Sequence, residues 1–224
     1  MPTPTSGAVQ AVPPRARYRR GVTLERPRDD EPVEDHVVFL DPVPWKDYER
    51  LLELRGDRSV PRMTYLEGVL ELMSPSHEHE RIKSMVGRLV EVFCLERGVR
   101  FMPYGQWTLK SRRKRRGVEA DACYVFGAPR GAPRRPHLAI EVFWTSGRLD
   151  KLEVYRRLGV REVWIWSQRK LTPWGLRAEA YVELPASAVL PGIDLAQLLR
   201  FVDRPTAYDA IRAYRRALRR SPRA

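Results

Sequence analysis

The stretch LAIEVFWTSGRLDKLEVYRRLGVREVWIWS, residues 138–167, decides the fold class because two apolar runs flank a segment with helical character. Five of the six residues in LAIEVF are apolar, which predicts a short buried strand, and REVWIWS predicts another. A helix is predicted over residues 149–158, between these strands. Strand, helix and strand in this order predict a right-handed crossover in a mixed sheet, and therefore an α/β architecture with helices packed on a central sheet.

Glu141 lies in the middle of the first apolar run. An ionised carboxylate that is buried without a partner costs several kcal/mol, comparable to the net stability of a domain, so a compensating group is expected. Three explanations are open at this point. The partner is a metal ion, or it is a protein cation such as Lys151 or Arg148, or Glu141 lies at a strand edge in water.

A second predicted strand, VEADACYVF at residues 118–126, also carries acids. Its period of two predicts Glu119, Asp121 and Cys123 on one face. If this strand neighbours the strand of Glu141, three carboxylates converge on one sheet face, and their mutual repulsion requires a cation. Oxygen ligands suit Mg²⁺ or Mn²⁺ better than zinc, so we predict a magnesium or manganese site at Asp121, Glu141 and Glu119.

Lys151 is placed by the sequence in the first turn of the helix that follows the Glu141 strand. From there its ammonium group can reach back to the acids, orient an attacking water and offset charge on a phosphate oxygen. Tyr155 lies four residues further on and shares the same helix face. Acids, a divalent metal and a lysine are the groups that hydrolysis of a phosphodiester needs, so Asp121, Glu141 and Lys151 are the predicted catalytic residues.

Further elements are predicted outward from this core. The longest helix should begin with Ser74 as its N-cap and Pro75 at its first position, and should end at Gly98. The other expected elements are a strand and a helix in VVFLDPVPWKDYERLLELRGD, two strands around Glu67–Gly68, a strand in VRFMPYGQWTLK, a hairpin in LTPWGLRAEAYVEL, a short helix in DLAQLLRFV and a basic amphipathic helix at the C-terminus.

The chain is divided by composition into three parts. Residues 1–35 combine proline and charge with little apolar periodicity and are expected to be a disordered or loosely attached tail. Residues 36–205 form the predicted domain, and residues 206–224 the basic C-terminal helix or tail. The two cysteines, Cys94 and Cys123, lack metal or disulfide spacing and are expected to be small buried apolar residues. Without an apolar run long enough for a membrane or a signal peptide, a cytoplasmic location is expected.

The charge balance favours a polyanionic partner. There are 41 Lys and Arg residues against 28 Asp and Glu, a formal net charge of +13, which makes nucleic acid the first partner to consider, although an arginine-rich composition alone could explain the surplus. The run KSRRKRR, residues 110–116, joins two predicted strands and could grip phosphates independently of sequence, or could be a solvated turn. The predicted nucleic-acid-binding residues are Lys110, Arg112, Arg113, Lys114, Arg115 and Arg116.

The arrangement of an aspartate on one strand, a glutamate on the next and a nearby lysine resembles the PD-(D/E)XK nuclease superfamily. The closer resemblance is to the Uma family of bacterial endonuclease-like proteins, over roughly residues 37–202. It is carried by TYLEGVLELMSPSHEHERI, EADACYVF and LAIEVFWTSGRLDKLEVYRRLGVREVWIW, and most specifically by DKLEVYRRLGVREVW. The resemblance implies a restriction-endonuclease-like fold, Asp121 and Glu141 as metal ligands and Lys151 as the catalytic lysine. It also implies that His79 or Glu80, in a recurrent family segment, can point toward the active-site cleft, with His79 as a possible accessory group.

Two positions depart from the superfamily pattern. Ala120 replaces the usual proline before the aspartate, and Phe143 replaces the lysine two residues after the glutamate, so Lys151 must supply the ammonium group from the helix. A lysine in that place looks characteristic of the Uma family. Glu119 is additional to the minimal motif.

Three functions are therefore open. The first is a Mg²⁺- or Mn²⁺-dependent endodeoxyribonuclease, for which a homodimer is a further possibility because many such nucleases cut two strands as dimers. The second, motivated by the missing lysine, is a catalytically inactive nucleic-acid-binding protein that retains the nuclease fold. The third is a structural partner protein whose basic tail engages another chain.

Overall fold

A computed structural model describes residues 34–128, 131–142 and 149–220. Within these ranges the chain forms eleven strands and five helices in one compact unit. The strands are β1 (His36–Leu40), β2 (Arg62–Leu66), β3 (Val69–Ser74), β4 (Phe101–Gly105), β5 (Thr108–Ser111), β6 (Arg116–Glu119), β7 (Ala122–Phe126), β8 (Leu138–Val142), β9 (Glu162–Ser167), β10 (Lys170–Arg177) and β11 (Ala180–Glu183). The helices are α1 (Trp45–Arg55), α2 (His77–Arg97), α3 (Lys151–Leu158), α4 (Leu195–Leu199) and α5 (Ala207–Arg220).

The strands form two sheets, which we call the first and the second sheet. The first has the order β1-β3-β2-β6-β5 and is antiparallel throughout. The second has the order β11-β10-β9-β8-β7-β4 and is mixed, because β8 and β9 are parallel while its other pairs are antiparallel. Helix α3 connects β8 to β9, so the predicted strand–helix–strand unit and the α/β architecture are confirmed.

Two predicted strands are each divided between the sheets. The segment VEADACYVF is not one strand: β6 ends at Glu119 in the first sheet, and β7 begins at Ala122 in the second. The segment VRFMPYGQWTLK is likewise split into β4 and β5. Alternation of apolar residues indicates an extended chain but does not reveal where that chain leaves one ladder for another. The single central sheet of the prediction is therefore two sheets.

Helix α2 begins two residues later than predicted. Its N-cap is Ser76, whose hydroxyl accepts a hydrogen bond from the amide of His79 at 3.2 Å, and not Ser74. The cap position matters for the site because it fixes His79 in the first turn. The predicted end at Gly98 is confirmed, with the glycine in the left-handed conformation at φ 70° that favours this residue.

The largest core lies between the second sheet and helices α2 and α5. Helix α5 buries Ala210, Tyr214 and Leu218 in the same apolar cluster as α2, so the segment predicted as a C-terminal helix or tail packs on the domain. Cys94 and Cys123 are buried free thiols, as expected. The predicted N-terminal tail lies, up to residue 33, outside the described residues. No helix in the described ranges is both long and apolar enough to cross a membrane.

Candidate active site

Asp121 and Glu141 lie opposite each other, at the point where β7 begins and β8 ends. In the ladder of these strands Ala122 pairs with Ile140, so one step further Asp121 faces Glu141. The amide of Val142 donates a hydrogen bond to Asp121 Oδ2 at 2.7 Å, which ties the two strands together at this point. Both carboxylates are buried, with 1% and 0% of their surface exposed. The predicted convergence of Asp121 and Glu141 is therefore present, at one end of the β7–β8 ladder, whereas Glu119 lies on β6 in the first sheet.

Lys151 and Tyr155 bind the carboxylate of Glu141 from helix α3. Lys151 Nζ lies 3.0 Å from Glu141 Oε2, and the hydroxyl of Tyr155 donates to Glu141 Oε1. The spacing of four residues places both side chains on one helix face. Lys151 Nζ is also 3.7 Å from Glu71 Oε1, so the ammonium group lies between two buried carboxylates.

A second set of contacts surrounds the carboxylate of Asp121. Arg62 donates to Asp121 Oδ1 through Nη1, and His79 Nε2 lies 3.0 Å from Asp121 Oδ2. The other ring nitrogen of His79, Nδ1, is 2.8 Å from Asp35 Oδ2. Asp35 in turn accepts a hydrogen bond from the amide of Ser76 at 2.8 Å. His79 is thus held between two carboxylates at the start of α2. The site described by Asp121, Glu141, Lys151, Tyr155 and His79 is called the acidic cluster below.

The pKa values in the acidic cluster follow from burial and neighbouring charge. Burial alone would raise the pKa of Asp121, but the hydrogen bond from His79 and the charge of Arg62 hold it well below its usual range. Burial raises the pKa of Glu141 and the charge of Asp121 adds to this, against the opposing effect of Lys151. Burial would lower the pKa of Lys151, but Glu141 and Glu71 raise it above its usual value.

For His79, burial would lower the pKa, but its hydrogen bonds to Asp121 and Asp35 outweigh burial and raise it to about 9. His79 and Lys151 are therefore cationic at neutral pH. Asp121 is ionised at the same pH, while Glu141 has the higher proton affinity of the two acids.

Glu119 belongs to a different contact network. It accepts two hydrogen bonds from the guanidinium group of Arg55, at 2.5 and 2.6 Å, one from the amide of Met63 at 2.9 Å and one from Thr108 Oγ1 at 2.7 Å. Arg55 lies on helix α1, while Met63 and Thr108 lie on β2 and β5. These two strands belong to the first sheet, as does β6, which carries Glu119. The structure therefore does not bring Glu119 into the contacts that surround Asp121 and Glu141.

The donor chemistry of the acidic cluster suits a hard divalent ion. In the described ranges no three His, Cys, Asp or Glu side chains are arranged to hold a metal ion. However, Mg²⁺ commonly uses one or two protein carboxylates and keeps several waters, and Asp121 and Glu141 supply two carboxylates. Each of their oxygens already accepts a hydrogen bond or ion pair from the protein. A divalent ion would have to replace some of these contacts.

A cleft of about 350 Å³ borders Asp121 between helix α2 and strand β4. Lys83 and Arg88 on α2 contribute cations to its lining, and Gly87 between them brings the helix backbone close to Tyr124. Lys83 pairs with Glu80, and the acid Glu91 also lines the cleft, so a polyanion that entered it would border Asp121 and meet the exposed Arg88 as the main positive side chain.

The basic run of residues 110–116 spans the turn and the adjoining strand ends of the β5–β6 hairpin, which contacts helix α3. Arg116 is buried and pairs with Glu67 at 3.0 Å and Glu153 at 3.1 Å, so it is committed to internal contacts. The remaining members are more accessible. Lys110 and Arg112 pair with Glu49, at 3.7 and 3.0 Å, Lys114 donates to the carbonyl of Arg157 at 2.6 Å, and Arg113 and Arg115 are exposed.

Three residues of this region were not predicted from the sequence: Arg62, Glu71 and Asp35. Glu71 carries the signal that drew attention to Glu141, an acid inside the apolar strand VLELMS. Arg62 and Asp35 carry no such signal, because they lie at the start of β2 and just before β1. Two residues named in the sequence analysis lie outside the described residues. They are Phe143, which replaces the lysine of the superfamily pattern, and Arg148, an alternative partner of Glu141.

A comparison with known families gives one match. The model of the family Uma2, described as "Putative restriction endonuclease", matches residues 15–202. Among curated proteins, none matches the sequence. The match confirms the resemblance found in the sequence, and with the mixed second sheet and its flanking helices it supports a restriction-endonuclease-like α/β fold.

Proposed function

The chain belongs to the Uma2 family of restriction-endonuclease-like proteins, and from this premise we propose that it is a Mg²⁺- or Mn²⁺-dependent endonuclease that hydrolyses phosphodiester bonds in DNA. The observation that carries the proposal is the buried contact of Glu141 with Lys151, directly opposite Asp121. Burying two acids and an ammonium group together costs folding free energy because the charges lose their hydration. Buried groups with shifted pKa values of this kind concentrate at functional sites.

In this proposal, Asp121 and Glu141 hold the divalent ion, which when bound supplies Lewis-acid polarisation of a phosphate oxygen. Lys151 places its ammonium group beside Glu141, where it stabilises negative charge that develops on the phosphate. Tyr155 fixes the rotamer of Glu141 through its hydroxyl, and His79 does the same for Asp121. Lys83 and Arg88 in the cleft position the nucleic-acid backbone.

The catalytic proposal is tested with the isosteric variants Asp121→Asn and Glu141→Gln. Cleavage of plasmid DNA in Mg²⁺ should fall by at least about 10²–10³-fold in each, the loss typical of removing one transition-state contact. Calorimetric titration with Mn²⁺ should show binding to the wild type and not to the variants. Glu119→Gln is the matched control, a buried acid outside the acidic cluster, and should keep both properties when circular dichroism shows it folded. Unchanged cleavage in the folded cluster variants would refute the site.

DNA as partner is tested by the salt dependence of affinity. We propose that the exposed side chains of the β5–β6 hairpin contact phosphates, so Arg113→Gln and Arg115→Gln should each reduce the slope of log affinity against log salt by roughly 1. Arg50→Gln, an exposed arginine of α1, is the control and should leave the slope unchanged. An unchanged slope in the double hairpin variant would place the contact surface elsewhere.

A catalytically inactive nucleic-acid-binding protein is the second candidate. It is favoured by one observation: each oxygen of Asp121 and Glu141 already has a protein donor or cation, as in a purely structural charge network. The Mn²⁺ titration separates the candidates. Absence of Mn²⁺ binding together with salt-sensitive DNA affinity would favour the inactive protein.

A further inference from the structure

A cavity of about 600 Å³ lies at the opposite end of the second sheet from the acidic cluster. Strand β8 runs from this cavity to Glu141: His137 borders the cavity just before the strand, four residues away, or about 13 Å at roughly 3.3 Å per residue. The two places are therefore separate. The residues that matter in the cavity lining are Phe126, His137, Arg161, Leu176, Arg177 and Val189.

Two arginines give this cavity an excess of positive charge. Arg161 and Arg177 are exposed, and neither forms an ion pair with another residue in the described part of the chain. The acid among the described lining residues is Glu162, which is buried. Its Oε1 accepts from Trp164 Nε1 at 2.6 Å, and its Oε2 accepts from the amides of residues 188 and 189 at 2.8 and 3.1 Å. Glu162 is thus saturated by donors of its own. Within the described residues, Arg161 and Arg177 lack an acidic partner, and Arg177 Nη1 donates one hydrogen bond to the carbonyl of Leu176 at 3.3 Å.

His137 adds a neutral donor to the cavity. Its Nδ1 accepts a hydrogen bond from the amide of Phe126 at 3.0 Å, which places the ring proton on Nε2. Burial lowers the pKa of His137, and the charges of Arg161 and Arg135 lower it further. The imidazole therefore stays neutral at physiological pH, mainly because of burial and to a lesser extent because of the neighbouring arginine charges.

We propose that this cavity binds a phosphate monoester of nucleotide size, with the phosphate on Arg161 and Arg177, a hydrogen bond from His137, and the organic part against Phe126, Leu176 and Val189. A phosphate monoester carries close to two negative charges at neutral pH, which matches two guanidinium groups, and guanidinium forks bind its oxygens in pairs. The apolar wall favours an organic phosphate over the inorganic ion. The volume is within the range of roughly 300–1,000 Å³ typical of small-molecule sites.

The test uses the full chain and adenosine 5′-monophosphate as the probe. Calorimetry should show binding of the nucleotide, weaker binding of inorganic phosphate and none of adenosine. Arg161→Gln and Arg177→Gln should each weaken nucleotide binding at least tenfold, and Arg50→Gln should not. In NMR titrations, the pKa of the His137 ring should rise when the nucleotide binds, because the phosphate offsets the arginine charges.

Other outcomes would overturn the proposal. If the nucleotide fails to bind at millimolar concentration while an oligonucleotide loses affinity in Arg161→Gln, the two arginines contact nucleic-acid backbone and not a small molecule. If nucleotide binding is lost in folded Asp121→Asn but kept in Arg161→Gln, the ligand occupies the acidic cluster. Neither result depends on whether the protein cleaves DNA, so the proposal stands or fails separately from the nuclease assignment.

Discussion

Glu119 and Asp121 are two residues apart and both are buried, yet their surroundings differ in kind. Glu119 meets one guanidinium group in a two-pronged contact, and a backbone amide and a hydroxyl complete its hydrogen bonds. Asp121 is shared among Arg62, His79 and the amide of Val142, and it faces another acid.

The difference separates a structural charge from a candidate catalytic one. A single bidentate partner neutralises Glu119 and leaves no reason for a further ion. In the acidic cluster, two carboxylates and several cations balance one another without forming such a closed pair, and the pKa of Glu141 is raised by burial and, in addition, by the neighbouring charge of Asp121. A site of this kind can accept a cation or a phosphate by rearranging contacts, whereas the Arg55–Glu119 pair can only be broken.

The largest expected effect is on the structural side of this comparison. Arg55→Ala leaves Glu119 buried without its counter-ion, and breaking a buried ion pair in this way costs about 3–5 kcal/mol. The free energy of unfolding, measured by urea denaturation, should fall by that amount, while Mg²⁺-dependent cleavage per folded molecule should not change. Arg50→Ala on the same helix is the control, with an expected cost below about 0.5 kcal/mol. Loss of cleavage in folded Arg55→Ala would mean that Glu119 takes part in the site after all.

Lys151→Met tests the catalytic side. The variant keeps most of the side-chain volume but removes the ammonium group from Glu141, so cleavage should fall about 10²–10³-fold, equivalent to roughly 3–4 kcal/mol of transition-state stabilisation. The rate should be measured on the same DNA and at saturating Mg²⁺. Lys170→Met, an exposed lysine of β10, should cleave like the wild type.

The interpretation of Lys151→Met depends on a second measurement. If Lys151 is only the counter-ion of Glu141, the variant should lose stability and keep its rate once folded. A normal cleavage rate in a folded variant would therefore contradict the catalytic role.

Much of the fold could be predicted because its signals are local. The helices ending at Gly56 and Gly98 and the strand–helix–strand unit around Glu141 all follow from apolar spacing and terminal residues. The change of sheet between Glu119 and Ala122 could not be predicted, because strand pairing is a long-range property that the alternation of side chains does not encode. For this reason the sequence grouped Glu119 with Asp121 and Glu141, whereas in the structure it lies in the first sheet.

The candidate site was predictable in part for the same reason. An acid in an apolar strand is conspicuous, which led to Glu141, and Lys151 in the first turn of the helix that follows the strand is within reach of it. Arg62 and Asp35 are ordinary charged residues by sequence, and their role depends on contacts with Asp121 and His79 from positions 59 and 44 residues distant. Only the folded chain brings them together.

The smallest expected effect is a pH dependence that distinguishes the two networks. The pKa of His79 is raised from its ordinary value of 6.5 to about 9 in the folded protein, so protonated His79 contributes stability that is fully present below about pH 6.5. That contribution, up to about 3 kcal/mol by the usual conversion of pKa to free energy, should be lost as the pH rises through 9. Urea denaturation in a chelator, at pH 6 and pH 9.5, should show the loss in the wild type.

His79→Gln isolates this effect, because buried Cys94 also makes unfolding easier at high pH through its raised pKa and is unchanged in the variant. The difference in unfolding free energy between wild type and His79→Gln should therefore be large at pH 6 and small at pH 9.5. The same difference at both pH values would show that His79 is neutral between its two carboxylates. In that case Asp121 would depend on Arg62 and Lys151 for its charge balance, and the acidic cluster would resemble the Arg55–Glu119 pair more closely.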